Sequence, residues 1–216
     1  GSMRIAIASR IFAPEPSAAT FRLTALARAL SVAGHEVEVL TVRPPKGMEP
    51  EPTPYIVRRF PVIRDSQNYV RGYVPYLSFD IPLIFRLLRR RYDVVVVEPP
   101  PTTGLATRIA TTLTRTPYVY YAADIWADAA AQTGAPGLIS ATVRQIEKIA
   151  WNGARAILAV SSGVEDRLAQ LGVKPRVTMI GNGIAAEEFC ANDADSAAAF
   201  ARSAGAPEFV YAGTAS

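Results

Sequence analysis

Cysteine and histidine are almost missing from this chain of 216 residues, which has one of each, Cys190 and His35. A single cysteine cannot close an internal disulfide, and that fits a reducing compartment. With one histidine, His-rich zinc sites are excluded. Glycine is absent from the stretch after the first apolar run, Ser9 to Ala19. The GxGxxG turn that a dinucleotide-binding dehydrogenase places there is therefore missing. The P-loop pattern GxxxxGK[ST] is missing as well. No apolar run reaches the ~18 residues that span a bilayer. Ile5 to Ile11 is too short for a signal peptide and is interrupted by Arg10. No Asp-x-Asp follows an apolar strand, so a metal is not implied. Gly1-Ser2 before Met3 reads as a cloning remnant.

What is present is apolar and mildly basic. A hydrophobic content of 50% supplies a sizeable core. The length suits one ordinary domain, or one plus a fragment. A net charge of +4 is compatible with phosphorylated ligands or an anionic membrane surface. The basic residues are not interleaved with aromatic stacking positions, which argues against nucleic acid as a partner.

Periodicity divides the chain into alternating strands and helices. Strands are expected at Met3 to Ser9, Val37 to Val42, Tyr55 to Val62, Asp93 to Val97, Pro117 to Tyr121, Arg155 to Val160 and Val177 to Ile180, the last as a core strand. Helices are expected at Thr20 to Ala33, Leu77 to Arg91, Thr102 to Thr114, Ile139 to Asn152 and from Ser161 to Leu171. Gly34 stops the first helix and Ser161 caps the last. Arg64 to Tyr76 reads as a loop or lid. The pattern predicts an α/β, doubly wound, mostly parallel sheet of Rossmann-like type. Residues 3–190 form that domain, 191–207 a linker, and 208–216 the start of a further domain. The strand Phe209 to Ala212 has nothing to pack on, so the chain is expected to be one half of a longer protein.

The stretch PYVYYAADIW, Pro117 to Trp126, anchors the functional reading. It runs from a buried strand into Asp124, and ligands of open α/β sheets bind outside the carboxyl ends of strands. Asp124 suits a general base, a hydroxyl partner or a helix N-cap. Glu98 ends the strand DVVVV at the same edge. Arg22, at the start of the first helix, suits a phosphate or the solvent. Ser161 and Ser162 open a helix whose free N–H groups suit a hydroxyl or phosphate. Asn182-Gly183 is a tight turn. His35 reads as a structural hydrogen-bonding residue. Tyr69, Tyr73, Tyr76 and Phe79 form an aromatic segment beside Phe85 to Arg91, a helix end that mixes apolar and basic residues. That helix reads as an ordinary surface helix or as one that contacts an anionic membrane.

Five pieces, in order, carry a resemblance: MRIAIAS-x-x-F-x-P-E-P, A-x-A-L-x-x-A-G-H-E-V-E-V-L-T, DIWAD, AILAVSSGV-x-x-R-L and MIGNGIAAEEF. Together they resemble the N-terminal, acceptor-binding half of a GT-B glycosyltransferase of the retaining group called family 4. The resemblance implies two Rossmann-like domains, with a nucleotide sugar held mainly by the second and no metal or other cofactor. It implies a catalytic or charge-stabilising role for Asp124. It places Pro14, Glu15, Ser17, Ala18, Ala19 and Thr20 in a loop bordering the donor. Arg22, Tyr73, Glu98, Trp126, Ser161 and Ser162 then face the acceptor, with the Asn182-Gly183 turn near the cleft. Expected partners are the nucleotide sugar, a sugar, lipid-linked or small-molecule acceptor, and the C-terminal domain of the same chain. The expected setting is cytoplasmic, at glycan, glycolipid or cell-envelope synthesis, with contact at the inner membrane face. The sequence departs from the family where Ala123 replaces a histidine, Ser17-Ala18-Ala19 replaces a Gly-Gly, and Ala185 replaces an acid. A nucleotide-sugar 2-epimerase of the same architecture and a non-catalytic nucleotide- or sugar-binding module stay open as alternatives.

Overall fold

The computed structural model describes residues 2–180. Cys190, the Asn182-Gly183 turn, the expected linker 191–207 and the expected strand start at 208–216 lie outside the described residues. The elements run β1 (Arg4–Ala8), α1 (Ala18–Val32), β2 (Glu36–Val42), β3 (Ile56–Phe60), α2 (Tyr73–Arg89), β4 (Val94–Val97), α3 (Pro101–Thr114), β5 (Tyr118–Ala122), α4 (Trp126–Gln132), α5 (Gly137–Gly153), β6 (Ala156–Ala159), α6 (Ser162–Gln170) and β7 (Arg176–Met179). The strands form one seven-stranded sheet in the order β3-β2-β1-β4-β5-β6-β7. Every pairing is parallel.

Alternation along the central strands splits the core in two. Ile5 and Ile7 of β1 join Leu23, Leu26 and Leu30 of α1 on one face. Ala6 and Ala8 join Phe79, Leu83 and Leu87 of α2, with Trp151 of α5 and Leu168 of α6, on the other. Strands covered on both faces need not alternate in polarity, which is why β4 is all valine.

Local chemistry sets most helix ends. Ser17 caps α1 by accepting the Thr20 N–H at 2.9 Å. Past its end, Gly34 takes φ +95°, a conformation that favours glycine. Pro101 opens α3, where its missing N–H costs nothing. Gly104 has a packing reason: a Cβ there would meet Tyr120 Cε2 and the Ala150 Cβ at 2.7 Å. The Thr107 and Thr111 hydroxyls donate to carbonyls one turn back, which satisfies them inside the core.

Three expectations are corrected. The expected loop Arg64 to Tyr76 ends early, because α2 already starts at Tyr73; Pro75 sits in the first turn, where no intrahelical N–H is needed. The short α4 was not expected. Its Trp126 and Ala127 N–H groups donate to the Glu147 carboxylate at 2.7 and 2.9 Å, a cap supplied from α5. β7 is an edge strand with half-buried or exposed side chains, not a core strand.

Candidate functional site at the strand carboxyl ends

A parallel sheet collects its strand carboxyl ends, the loops that leave them and the N-termini of the following helices along one edge. The strand order reverses at β1. The chain leaves it toward β2 and later returns to β4 on its other side. The crevice outside Ala8 and Val97, paired in register, is therefore the topological switch point. Arg10 enters it from the loop after β1, Glu98 from the loop after β4, Arg22 from the start of α1, and Asp124 from the end of β5.

Glu98 is 5% exposed. One carboxylate oxygen lies 3.9 Å from a terminal nitrogen of Arg22. The other has no partner among the described residues. Burial pushes its pKa up to about 7, against the pull of Arg22 and Arg10, and the charge of Asp124 adds to the rise. Arg22 is buried rather than solvated, with its guanidinium 5.8 Å over the Tyr121 ring. Asp124 is exposed at the rim. It does not cap α4, whose N-cap is Ile125. The structure thus brings Arg22, Glu98 and Asp124 together and gives the two acids different surroundings.

A further carboxylate went unread in the sequence. Asp80 of α2 is buried and accepts the Thr103 hydroxyl at 2.5 Å. Burial pushes its pKa up to about 6, with Thr102, Thr103 and Arg10 pulling it back. The available signal was an acid between Phe79 and Ile81 in an otherwise apolar helix.

Next to the crevice is a cavity of about 350 Å³ lined by Arg10, Glu15, Tyr69, Arg71, Tyr76 and Trp126 among others. The Arg10 guanidinium lies 5.4 Å over the Tyr76 ring. Tyr76 meets Trp126 edge-on, with centroids 6.0 Å apart. Aromatic faces beside the cations Arg10 and Arg71 suit a ligand with apolar ring faces and polar edges, the chemistry of a sugar. Tyr76, not Tyr73, walls this cavity; Tyr73 is 73% exposed.

The first loop is held in place by a local hydrogen bond and by an arginine from the segment after β3. Glu15 forms a two-pronged pair with Arg64, at 3.1 and 3.2 Å, and Arg64 also donates to the carbonyls of Arg43 and Asn68. The Thr20 hydroxyl donates to the Glu15 carbonyl at 2.6 Å. Pro14, in a cis peptide bond with Ala13, and Ser17, Ala18, Ala19 and Thr20 follow this frame into α1. Ser161 caps α6 by accepting the Val164 N–H, and Ser162 is exposed beside it, one strand beyond Asp124 along the edge. His35 sits away from the crevice, where its Nδ1 accepts the Met3 N–H at 3.1 Å. Among the described residues, no group of three or more His, Cys, Asp or Glu is placed to hold a metal ion.

The platform behind Trp126 depends on α5. Asp128 accepts from Arg167 at 2.7 Å and from Arg144, which ties α4 to α6 and α5. Glu147, fully buried, completes it. Glu147→Ala would leave the first N–H groups of α4 unpaired, so it is expected to cost about 1–3 kcal/mol. Urea denaturation followed by tryptophan fluorescence would measure this; an unchanged midpoint would mean that α4 does not need the cap.

Residues 17–183 match the family described as the glycosyl transferase 4-like domain. No curated protein matches the chain. A solved sucrose-phosphate synthase chain from Thermosynechococcus elongatus superposes with a TM-score of 0.65 at 14% identity, covering 92% of this chain and 97% of that one. HepE from Anabaena, in complex with UDP-glucose, gives 0.55 at 17% identity, covering 84% of this chain and 44% of that one. The UDP-GlcNAc 2-epimerase of Methanocaldococcus jannaschii gives 0.50 at 14% identity, covering 90% and 50%. The chain spans about half the length of the last two. At these identities the likeness is one of fold.

Proposed function

The chain belongs to the glycosyl transferase 4-like domain family, and from that premise we propose that it is the acceptor-side half of a retaining glycosyltransferase that moves a sugar from a nucleotide-sugar donor to a hydroxyl. The observation that carries this reading is the polar group Arg22, Glu98 and Asp124 at the switch point, beside an aromatic cavity of sugar-accepting character. Asp124, exposed at the rim, positions the acceptor hydroxyl or stabilises charge near the anomeric centre. The loop from Pro14 to Thr20 borders the donor, and Arg22, Glu98, Trp126 and Ser161 border the acceptor. A nucleotide sugar as donor accords with HepE, whose structure holds UDP-glucose.

Among the described residues no helix is long and apolar enough to cross a membrane. The reading places the enzyme in the cytoplasm, with its acceptor at the inner membrane face or free in solution. A second reading, a nucleotide-sugar 2-epimerase, is favoured by one observation, the superposition on the epimerase of M. jannaschii.

One experiment separates the two. Donor turnover across UDP-, GDP- and ADP-sugars is measured on the full-length protein, with the 216-residue chain as control and with Asp124→Asn as the site variant. Transfer or hydrolysis confined to the full-length protein is expected. Asp124→Asn is expected to lower the rate at least ~10²-fold, the size of a lost acid–base or charge-stabilising group. Conversion of the donor into its 2-epimer without an acceptor would replace the transferase reading. Transfer at an unchanged rate in Asp124→Asn would remove the role given to that residue.

A further inference from the structure

A second concentration of positive charge lies at the opposite edge of the sheet. The helix α2 starts at the carboxyl edge and runs to the amino edge, where Arg89, Arg90 and Arg91 are all exposed. Beside its last turn is a cavity of about 360 Å³ walled by Arg58, Phe60, Arg86, Arg89, Arg90 and Tyr92.

Four guanidinium groups converge there, with one carboxylate in direct contact. Arg58 Nε donates to Glu38 at 2.7 Å. Arg86, 5% exposed, donates to the carbonyls of Thr41 and Arg58 at 3.0 and 2.8 Å, with its guanidinium 3.9 Å over the Phe60 ring. Carbonyl oxygens orient that guanidinium but do not neutralise it. Arg89 and Arg90 form no ion pair among the described residues. Tyr92 is buried, and its hydroxyl has no hydrogen-bond partner among the described residues. Burial pushes the Arg86 pKa down to about 10, against the pull of Tyr92 and with the neighbouring Arg58 adding to the fall.

Converging arginines and an unused buried hydroxyl match a group with several acceptor oxygens and at least one negative charge. A phosphate group has that chemistry, and the planar forks of arginine suit it. We propose that this cavity is a binding site for a phosphate group, separate from the crevice at the switch point. Two sources carry that group, a phospholipid headgroup or a small phosphorylated molecule. The outer face of α2 favours the lipid. Ile81, Phe85 and Leu88 are 54%, 63% and 39% exposed along one stripe, and Arg89 follows Phe85 by one helical turn, so apolar and cationic groups share that face. The site does not depend on the transferase reading.

The test uses the 216-residue chain. Binding of inorganic phosphate is measured by calorimetry, and co-sedimentation is measured with phosphatidylcholine vesicles with and without one third phosphatidylglycerol. Arg89→Ala/Arg90→Ala, two exposed positions, is expected to weaken binding roughly 30-fold, at about fivefold per arginine. Tyr92→Phe, which keeps the ring and removes the hydroxyl, is expected to weaken it about fivefold. Arg28→Ala/Lys174→Ala removes the same charge at other exposed positions and should change little. Loss of vesicle and phosphate binding together in the site variants identifies the lipid headgroup. Loss of phosphate binding alone identifies a small phosphorylated ligand. If neither probe binds, or if the Arg28/Lys174 variant weakens binding as much as the site variants do, the site is refuted.

Discussion

Trp151→Ala is expected to destabilise the domain by about 3–5 kcal/mol, a third or more of the ~5–15 kcal/mol that hold an ordinary domain together. The side chain is completely buried. It belongs to the core that joins α2, α3, α5 and α6 to one face of the sheet. Its neighbour Ala150 is the residue that Gly104 lets approach, and the Ala150 carbonyl accepts the Tyr118 hydroxyl. Packing there is too tight for the surroundings to collapse into the space left behind, which is the condition for a full cavity penalty. The Trp151 indole N–H has no hydrogen-bond partner among the described residues. Trp151→Phe therefore removes volume without breaking a hydrogen bond and should cost about half as much or less. Urea denaturation of the two variants checks the ordering. A drop below ~1 kcal/mol in the alanine variant would mean that α5 is not docked as described.

Stability is also expected to fall as pH rises from about 4 to 7, the reverse of what salt-bridged carboxylates produce. Glu98, Glu147 and Asp80 are all buried, and burial is the largest cause of the rise in each, to about 7, 7 and 6. A carboxylate whose folded pKa lies above its unfolded value holds a proton in the folded state that the unfolded chain has already released. Its stabilisation is complete below the unfolded pKa and is lost as pH rises through the folded one. The window runs from about pH 4 to 7, and each group carries on the order of 2–3 kcal/mol across it. His35, whose pKa burial lowers, works in the opposite sense near the top of that window, one group against three. Thermal midpoints should therefore decline from about pH 5 to pH 7 and level off by about pH 8. In Glu98→Gln, which cannot titrate, the decline should be visibly shallower whatever the absolute midpoint. A wild-type midpoint that climbs steadily over that range would show that these acids are ionised in the folded state.

The elements were largely legible because the signals that form them are local. Apolar spacing, the Ser161 cap and the stop at Gly34 act within a few residues, and each is found where it is expected; the Ser17 cap of α1 was not read. The boundary of α2 was misread because Ser, Gln, Asn and Gly carry the loop signal up to Gly72, while the helix begins on Tyr73. The missed α4 has seven residues, too few for a periodic pattern, and its cap comes from an acid in another helix.

The site was legible only in outline. Sequence placed Glu98 and Asp124 at the same sheet edge, because both follow buried strands. It had no means to show that Glu98 is buried against Arg22 while Asp124 faces solvent, since burial depends on which strands are neighbours. Glu15 was read with the donor loop, and its carboxylate proves to be engaged by Arg64, 49 residues away.

By itself, the sequence determined the alternation of strands and helices, the parallel α/β class, the helix caps and the family, because each rests on side-chain periodicity or on short motifs in order. The tertiary structure decided the strand order, the position of the reversal at β1, the surroundings that separate Glu98 from Asp124, and the convergence of Arg58, Arg86, Arg89 and Arg90 on one cavity. Those features are set by contacts between segments distant in the chain, where desolvation and the nearest opposite charge fix what an ionisable group does.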